Sequence, residues 1–194
     1  MKKKKFNKIV FLLDETGSMD SIKTDTIGGF NTFLEKQQKH DKEMKFTLTL
    51  FNSSKIEKRY KNEPIKNVEK LNEKNYQPGY LTPLYDAIGK TITKLKNKKN
   101  VLFIILTDGE ENDSKEYNKE SITKLIKEKE EKYNWKFLFL GVGIDGFAEA
   151  SKMGLEQGYS ANSLKASQVF HELADATIKY QKKGKLEFDD AGLK

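Results

Sequence analysis

Three short apolar runs divide the chain, and each gives way to polar or glycine-bearing residues. Residues 9–13 (Ile-Val-Phe-Leu-Leu) end in Asp14-Glu15-Thr16-Gly17-Ser18, and residues 101–106 end in Thr107-Asp108-Gly109-Glu110-Glu111. Residues 137–142 form the third run. Short runs without alternation suit central strands covered on both faces. A different rhythm marks residues 46–50, where Phe46, Leu48 and Leu50 alternate with Thr47 and Thr49. After Asn52-Ser53-Ser54 the chain resumes at residues 56–60, polar and lysine-bearing as edge strands tend to be, so a hairpin is expected here. Residues 158–161 add a last short strand.

Helical spacing fills the intervals. Residues 20–39 carry Ile27, Phe30, Phe33 and Leu34 on one face, with Asp20 or Ser21 as the expected cap. Ile65, Val68 and Leu71 suggest a short helix, and Gln77-Pro78-Gly79 reads as a loop. From Pro83 a helix places Leu84, Ile88, Ile92 and Leu95 on one stripe. Further helices are expected over residues 114–133, 147–153 and 164–180. Residues 1–183 therefore read as one domain and 184–194 as a loose tail. Strands alternating with helices predict an α/β sandwich around a mostly parallel sheet. In such sheets the site lies at the carboxyl ends of the strands, which directs attention to the loops after Leu13 and Leu106.

Composition narrows the chemistry. With 194 residues, about 70% of the unfolded surface can be buried without staples. The hydrophobic fraction is only 36%, but twelve Phe and eight Tyr supply bulk. Zero Cys excludes disulfides, thiolate zinc sites and cysteine catalysis. The two histidines, His40 and His171, lie far apart, so any metal must be held by oxygen, which favours hard cations. The net charge of +7 invites a nucleic-acid reading, yet Arg59 is the only Arg, and phosphate and base recognition favour the Arg fork. Nucleic acid is therefore an unlikely partner. The run Lys2-Lys3-Lys4-Lys5 before residues 9–13 mimics a secretory leader. The apolar run is shorter than the roughly 7–15 residues such a leader needs, and no stretch approaches about 18 apolar residues. A cytoplasmic location with no membrane span is expected.

Three loops share one kind of donor. Asp14, Thr16 and Ser18 follow the first run, Thr82 precedes the helix at Pro83, and Asp108 follows the second run. Any one of these loops is ordinary turn and cap chemistry. Together they offer two carboxylates and three neutral hydroxyls. A hard divalent ion wants about six oxygens and keeps some waters, and two carboxylates balance its charge without quenching it.

Asp14-x-Thr16-x-Ser18, a distant Thr82 and a distant Asp108 resemble, in order, the metal-ion-dependent adhesion site of the von Willebrand factor A domain family. The words Thr82-Pro83-Leu84-Tyr85-Asp86-Ala87 and Leu106-Thr107-Asp108-Gly109 are similar to those of bacterial and phage members. The resemblance covers residues 9–180. Thr16 departs from the more usual Ser but still supplies a hydroxyl. The resemblance implies a Rossmann-like three-layer αβα sandwich. Its sheet has about six strands, antiparallel only at residues 56–60. It further implies Mg²⁺ (or Mn²⁺ or Ca²⁺) at Asp14, Thr16, Ser18, Thr82 and Asp108, with an open position that an Asp or Glu of a protein partner completes. The expected function is then non-enzymatic protein binding. Asp86 is expected to orient the first loop.

Competing motifs carry less. A metal-dependent phosphohydrolase is the alternative, since an Asp after the first strand suits a phosphatase nucleophile. Its acid/base Asp would fall at position 16, which is Thr. Gly141-x-Gly143-x-x-Gly146 matches a dinucleotide fingerprint but comes late in the chain, without a ribose-binding acid at the expected distance. His171 lies on a helix with Phe170 and Leu173, so it suits a packed or surface role better than a triad with Ser18. His40 closes a helix, Trp135 suits the core, and Glu110 and Glu111 suit a solvated rim.

Overall fold

The computed structural model describes residues 6–155, 158–161 and 166–184. Six strands form one sheet: β1 (Lys8–Asp14), β2 (Lys45–Asn52), β3 (Lys55–Pro64), β4 (Val101–Thr107), β5 (Lys136–Val142) and β6 (Gly158–Ala161). Their spatial order is β3-β2-β1-β4-β5-β6. β1 pairs in parallel with both β2 and β4, β5 with β4 and β6, and only β2–β3 is antiparallel. The helices are α1 (Lys23–His40), α2 (Leu84–Leu95), α3 (Lys119–Tyr133), α4 (Gly146–Lys152) and α5 (Ala166–Lys183).

The sheet is buried on both faces, which is why its central strands read as unbroken apolar runs. Ile9, Phe11 and Leu13 of β1 point into one core with Phe30 and Phe33 of α1 and Phe170 of α5. Val10 and Leu12 point into the other, with Leu84, Ile88 and Ile92 of α2 and Ile122 and Ile126 of α3. The result is three layers: α1 and α5, the sheet, then α2, α3 and α4. Trp135 is fully buried in the second core, as expected, and its indole N–H donates to the Lys98 carbonyl at 2.7 Å.

Several boundaries differ from the sequence expectation. Residues 17–22 form a 3-10 turn (Gly17–Ile22) before α1, and neither Asp20 nor Ser21 caps the helix. The Ser21 hydroxyl instead donates to the Ser18 carbonyl, while burial of Met19 and Ile22 draws the turn against the core. Only Ile65–Asn67 is helical in the next segment. Val68 and Leu71 are buried without a helix. The side-chain amides of Gln38 and Asn31 on α1 donate to the carbonyls of Ile65, Val68 and Leu71. Helix α2 starts at Leu84, with Pro83 as its N-cap residue. Helix α3 starts five residues late because backbone N–H groups of residues 113–117 are taken by carboxylates of Glu111 and Asp86. Asn118 and Ser121 then form a reciprocal cap. β3 runs longer than the expected residues 56–60. Of the expected tail, residues 185–194 lie outside the described residues, as do residues 164 and 165 of the last helix.

Candidate metal centre

The three loops meet at the carboxyl end of β1 and β4. Asp14 is the last residue of β1 and is fully buried. One of its oxygens accepts the Thr16 N–H at 2.7 Å and the other accepts the Thr107 hydroxyl at 2.5 Å. The Thr16 and Ser18 hydroxyls lie 3.2 Å apart, and Ser18 donates to an Asp108 oxygen at 2.6 Å. Thr82 joins them across Gly109: a methyl group on Gly109 would sit 3.1 Å from the Thr82 hydroxyl and 3.5 Å from that of Ser18. All five sequence-identified residues therefore converge, buried at Asp14, Thr16 and Thr82 and open to solvent at Ser18.

Charge at this point is poorly compensated. Burial pushes the Asp14 carboxyl up to about 7, against the opposing hydrogen bonds of Thr107 and Thr16, and Asp108 adds to the rise. Burial also raises Asp108, opposed by the Ser18 hydroxyl. Among the described residues no three His, Cys, Asp or Glu side chains cluster as metal ligands. The donor set here is instead two carboxylates and three hydroxyls. That set fits a hard cation: the oxygens are pre-positioned, and among the described residues the two acids have no ion-pair partner.

Other residues build this arrangement, and the sequence did not single them out. Thr107 holds both the Asp14 carboxylate and, as acceptor, the Gly109 N–H at 3.0 Å. The buried Tyr76 hydroxyl donates to the Asp14 carbonyl at 2.6 Å. Glu15 turns away from the centre. It accepts the Gln77 N–H at 2.7 Å and pairs with Lys55 at 3.0 Å, tying the 77–79 loop to the hairpin. Tyr80 holds a left-handed backbone (φ 70°), and its carbonyl accepts the Gly17 N–H at 2.9 Å. A non-glycine residue in that region costs of order 1–3 kcal/mol, and such strain collects at ligand-facing loops. The only sequence signal for these roles was proximity to the three loops.

Two expectations are corrected. Asp86 does not touch the first loop; its carboxylate accepts the N–H groups of Tyr117, Glu116 and Lys115 at 2.8, 2.9 and 3.2 Å. Burial works against its charge, yet those three donors hold its pKa below the ordinary value. Glu111 is no solvated rim residue, since it accepts the Tyr85 and Ser114 N–H groups at 2.8 and 2.7 Å. Both acids fix the segment that follows Asp108. Glu110 is exposed, as expected.

The other motifs have structural explanations. A Cβ on Gly141 would lie 2.7 Å from the Gly146 backbone, so these glycines let β5 and α4 pack closely. The N-terminus of α4 is capped by the Asp145 carboxylate, which accepts the Ala148 N–H. His171 is exposed beside Lys36 and Asp175, on the α1–α5 side. His40 is the last residue of α1.

A parallel sheet with one antiparallel edge and a hydroxyl-rich acidic centre at its carboxyl end defines a recognisable class. Residues 8–177 match the family model of the von Willebrand factor type A domain, and the chain belongs to that family. No curated protein sequence matches it. Among solved structures, the chain is similar in fold to a von Willebrand factor type A protein from Catenulispora acidiphila. That match has 12% identity and a TM-score of 0.61, and it covers 90% of this chain and 43% of that one. Proximal thread matrix protein 1 of the mussel byssus matches at 16% identity and TM-score 0.63, over 90% of this chain and 46% of that one. The pilus adhesin SpaC of Lactobacillus rhamnosus GG matches at 15% and 0.64, over 92% of this chain and 31% of that one. The chain thus spans less than half the length of each. The family commonly mediates protein–protein interaction. Among the described residues no helix is long and apolar enough to cross a membrane.

Proposed function

We propose that Asp14, Thr16, Ser18, Thr82 and Asp108 hold a divalent cation, Mg²⁺ or Mn²⁺ before Ca²⁺, and that this cation captures an Asp or Glu of a protein partner. The observation that carries the reading is the buried, hydrogen-bonded Asp14 facing a second acid and three hydroxyls with no protein cation among them. When bound, the cation supplies an electrophilic position that a carboxylate can fill. The chain's own work is to orient the oxygens: Thr107 and the Thr16 N–H fix Asp14, and Ser18 fixes Asp108. We read the domain as a binding module rather than an enzyme, resident in the cytoplasm. The exposed Tyr80 and Leu81, on the loop that carries Thr82, offer apolar contact beside the cation.

Calorimetric titration with Mg²⁺ and Mn²⁺, with affinity capture in Mg²⁺ against EDTA, tests this. Wild type should bind one cation, melt higher with it, and retain its partner only in Mg²⁺. Asp14→Ala should lose all three effects. Equal melting and capture in EDTA would overturn the proposal, and turnover of a phosphate ester that vanishes in Asp14→Asn would replace it with hydrolysis.

A further inference from the structure

The opposite end of the sheet holds a second concentration of charge, of the other sign. A pocket of about 470 Å³ is lined by Lys8, Lys45, Lys98, Lys99, Glu43 and two asparagines, Asn7 and Asn100. Lys8 and Lys45 are directly opposed in register on neighbouring parallel strands. Like charges so placed repel each other. Lys8 is buried, at 6% exposure, near the start of the central strand. Some lysines elsewhere pair with carboxylates, as Lys36 does with Asp175, Lys70 with Glu35 and Lys90 with Glu116. Among the described residues others, such as Lys58 and Lys94, do not, and neither do Lys8, Lys45, Lys98 and Lys99. What sets these last four apart is that they line one pocket. The one carboxylate lining the pocket, Glu43, is paired with Lys66 at 2.5 Å.

The arrangement is also held in place. The Trp135 indole N–H anchors the Lys98 carbonyl, Asn7 donates its N–H to the Asn100 carbonyl, and the Asn134 amide donates to the Asn100 side chain. The Lys8 ammonium donates to the Asn62 side-chain oxygen. An ammonium has three protons, so two remain for another acceptor. Burial, then Lys98 and Lys45, push the Lys8 pKa below its ordinary value, as expected for a cation with no counter-ion.

We propose that this pocket binds a polyphosphate group, with the ammoniums of Lys8, Lys45, Lys98 and Lys99 as its counter-charges. Compact point charges spaced around a concave site suit a di- or triphosphate, whose charge is spread over several oxygens. The planar fork of Arg, absent here, would suit single bidentate recognition instead. The pocket's size favours a small molecule over a nucleic-acid duplex. The phosphate chain has two possible sources, a nucleotide or an inorganic polyphosphate.

Calorimetric titration in EDTA, with inorganic tripolyphosphate as the probe, tests this apart from the metal centre. Wild type should bind at one equivalent, and affinity should fall steeply with salt. Lys8→Met, and the exposed double variant Lys98→Gln with Lys99→Gln, should weaken binding at least tenfold. Asp14→Ala and the distant double variant Lys115→Gln with Lys119→Gln, both exposed at the carboxyl end of the sheet, should bind as wild type does. ADP and ATP binding more tightly than tripolyphosphate would assign a nucleotide, and the reverse order an inorganic chain; either supports the pocket. No binding, equal weakening by the distant lysines, or tighter binding of a DNA duplex than of tripolyphosphate would overturn it. If Lys8→Met fails to fold, the surface pair alone decides.

Discussion

At the scale of single residues, Asp14 governs how the domain responds to pH. An unfolded Asp titrates near 3.8, whereas folded Asp14 titrates at about 7. Between those values the folded chain holds a proton that the unfolded chain has released. Without a cation, the contribution of Asp14 to stability is therefore full below about pH 4 and is lost as pH rises through 7, by about 4 kcal/mol. Asp108, also raised, acts in the same direction, while the lowered Asp86 carboxyl acts the opposite way at the acid end. Thermal melting in EDTA from pH 4 to 7.5 should show this decline, and saturating Mg²⁺ should flatten or reverse it. Asp14→Asn should remove this component, and an identical pH profile in wild type and Asp14→Asn would contradict the raised pKa of Asp14. Gly109 offers a gentler perturbation. Gly109→Ala puts a methyl 3.1 Å from the Thr82 hydroxyl. It should weaken Mg²⁺ binding by about tenfold while leaving the fold intact, as changes beside metal ligands do. Titration calorimetry with circular dichroism checks both halves. The five candidate ligands were legible in the sequence because each is a fixed residue type at a fixed place relative to a strand end or helix start. Thr107, Tyr76 and Glu15 were not, because their roles depend on which backbone groups the fold brings to them.

At the scale of elements, glycine sets how closely helices pack. Phe170 of α5 lies over Gly29 of α1, where a Cβ would be 2.3 Å from its ring. Phe170 is itself buried and stacked on Phe11 of β1. In an exposed helix Gly→Ala stabilises by about 1 kcal/mol, but here overpacking reverses the sign. Gly29→Ala should cost roughly 1–3 kcal/mol, measured by denaturant unfolding. Tyr117 covers Gly89 of α2 in the same manner, at 2.4 Å. Tyr117 also donates its N–H to Asp86, so Gly89→Ala should loosen the segment after Asp108. Strands and long helices were readable because apolar period and length mark them locally. The delayed start of α3 was not, since residues 114–118 have helical composition. What holds them out of the helix is Asp86, some 30 residues earlier, together with Glu111. The pattern Ile65, Val68 and Leu71 misled for a related reason. Three-residue spacing buries side chains equally well along a chain whose carbonyls are taken by the amides of a neighbouring helix.

At the scale of the whole molecule, polarity separates the ends of the sheet. Acids and hydroxyls gather where β1 and β4 finish, and lysines with no carboxylate partner among the described residues gather where β1 and β2 begin. The net charge of +7 gave no hint of this division, because a sum carries no position. Hydrogen exchange should follow the layered core. Amides of β1 and β4, fully buried between neighbours, should exchange last, and those of the half-exposed edge strand β3 early. Comparable protection across all strands would mean that the sheet opens as one unit.

The central place of β1 also has a consequence in time. It is the first strand of the domain to be made, yet one of its two neighbours, β4, lies about 90 residues further along the chain. At about 5–20 residues per second, a ribosome needs several seconds to supply that neighbour. During that interval β1, β2, β3 and α1 can assemble, but one side of β1 keeps its backbone donors and acceptors unpaired beside bare Ile, Phe and Leu side chains. The nascent half-sheet is then a template for pairing with other chains. A fragment ending at residue 100 should aggregate, and the chain extended through α5 should not.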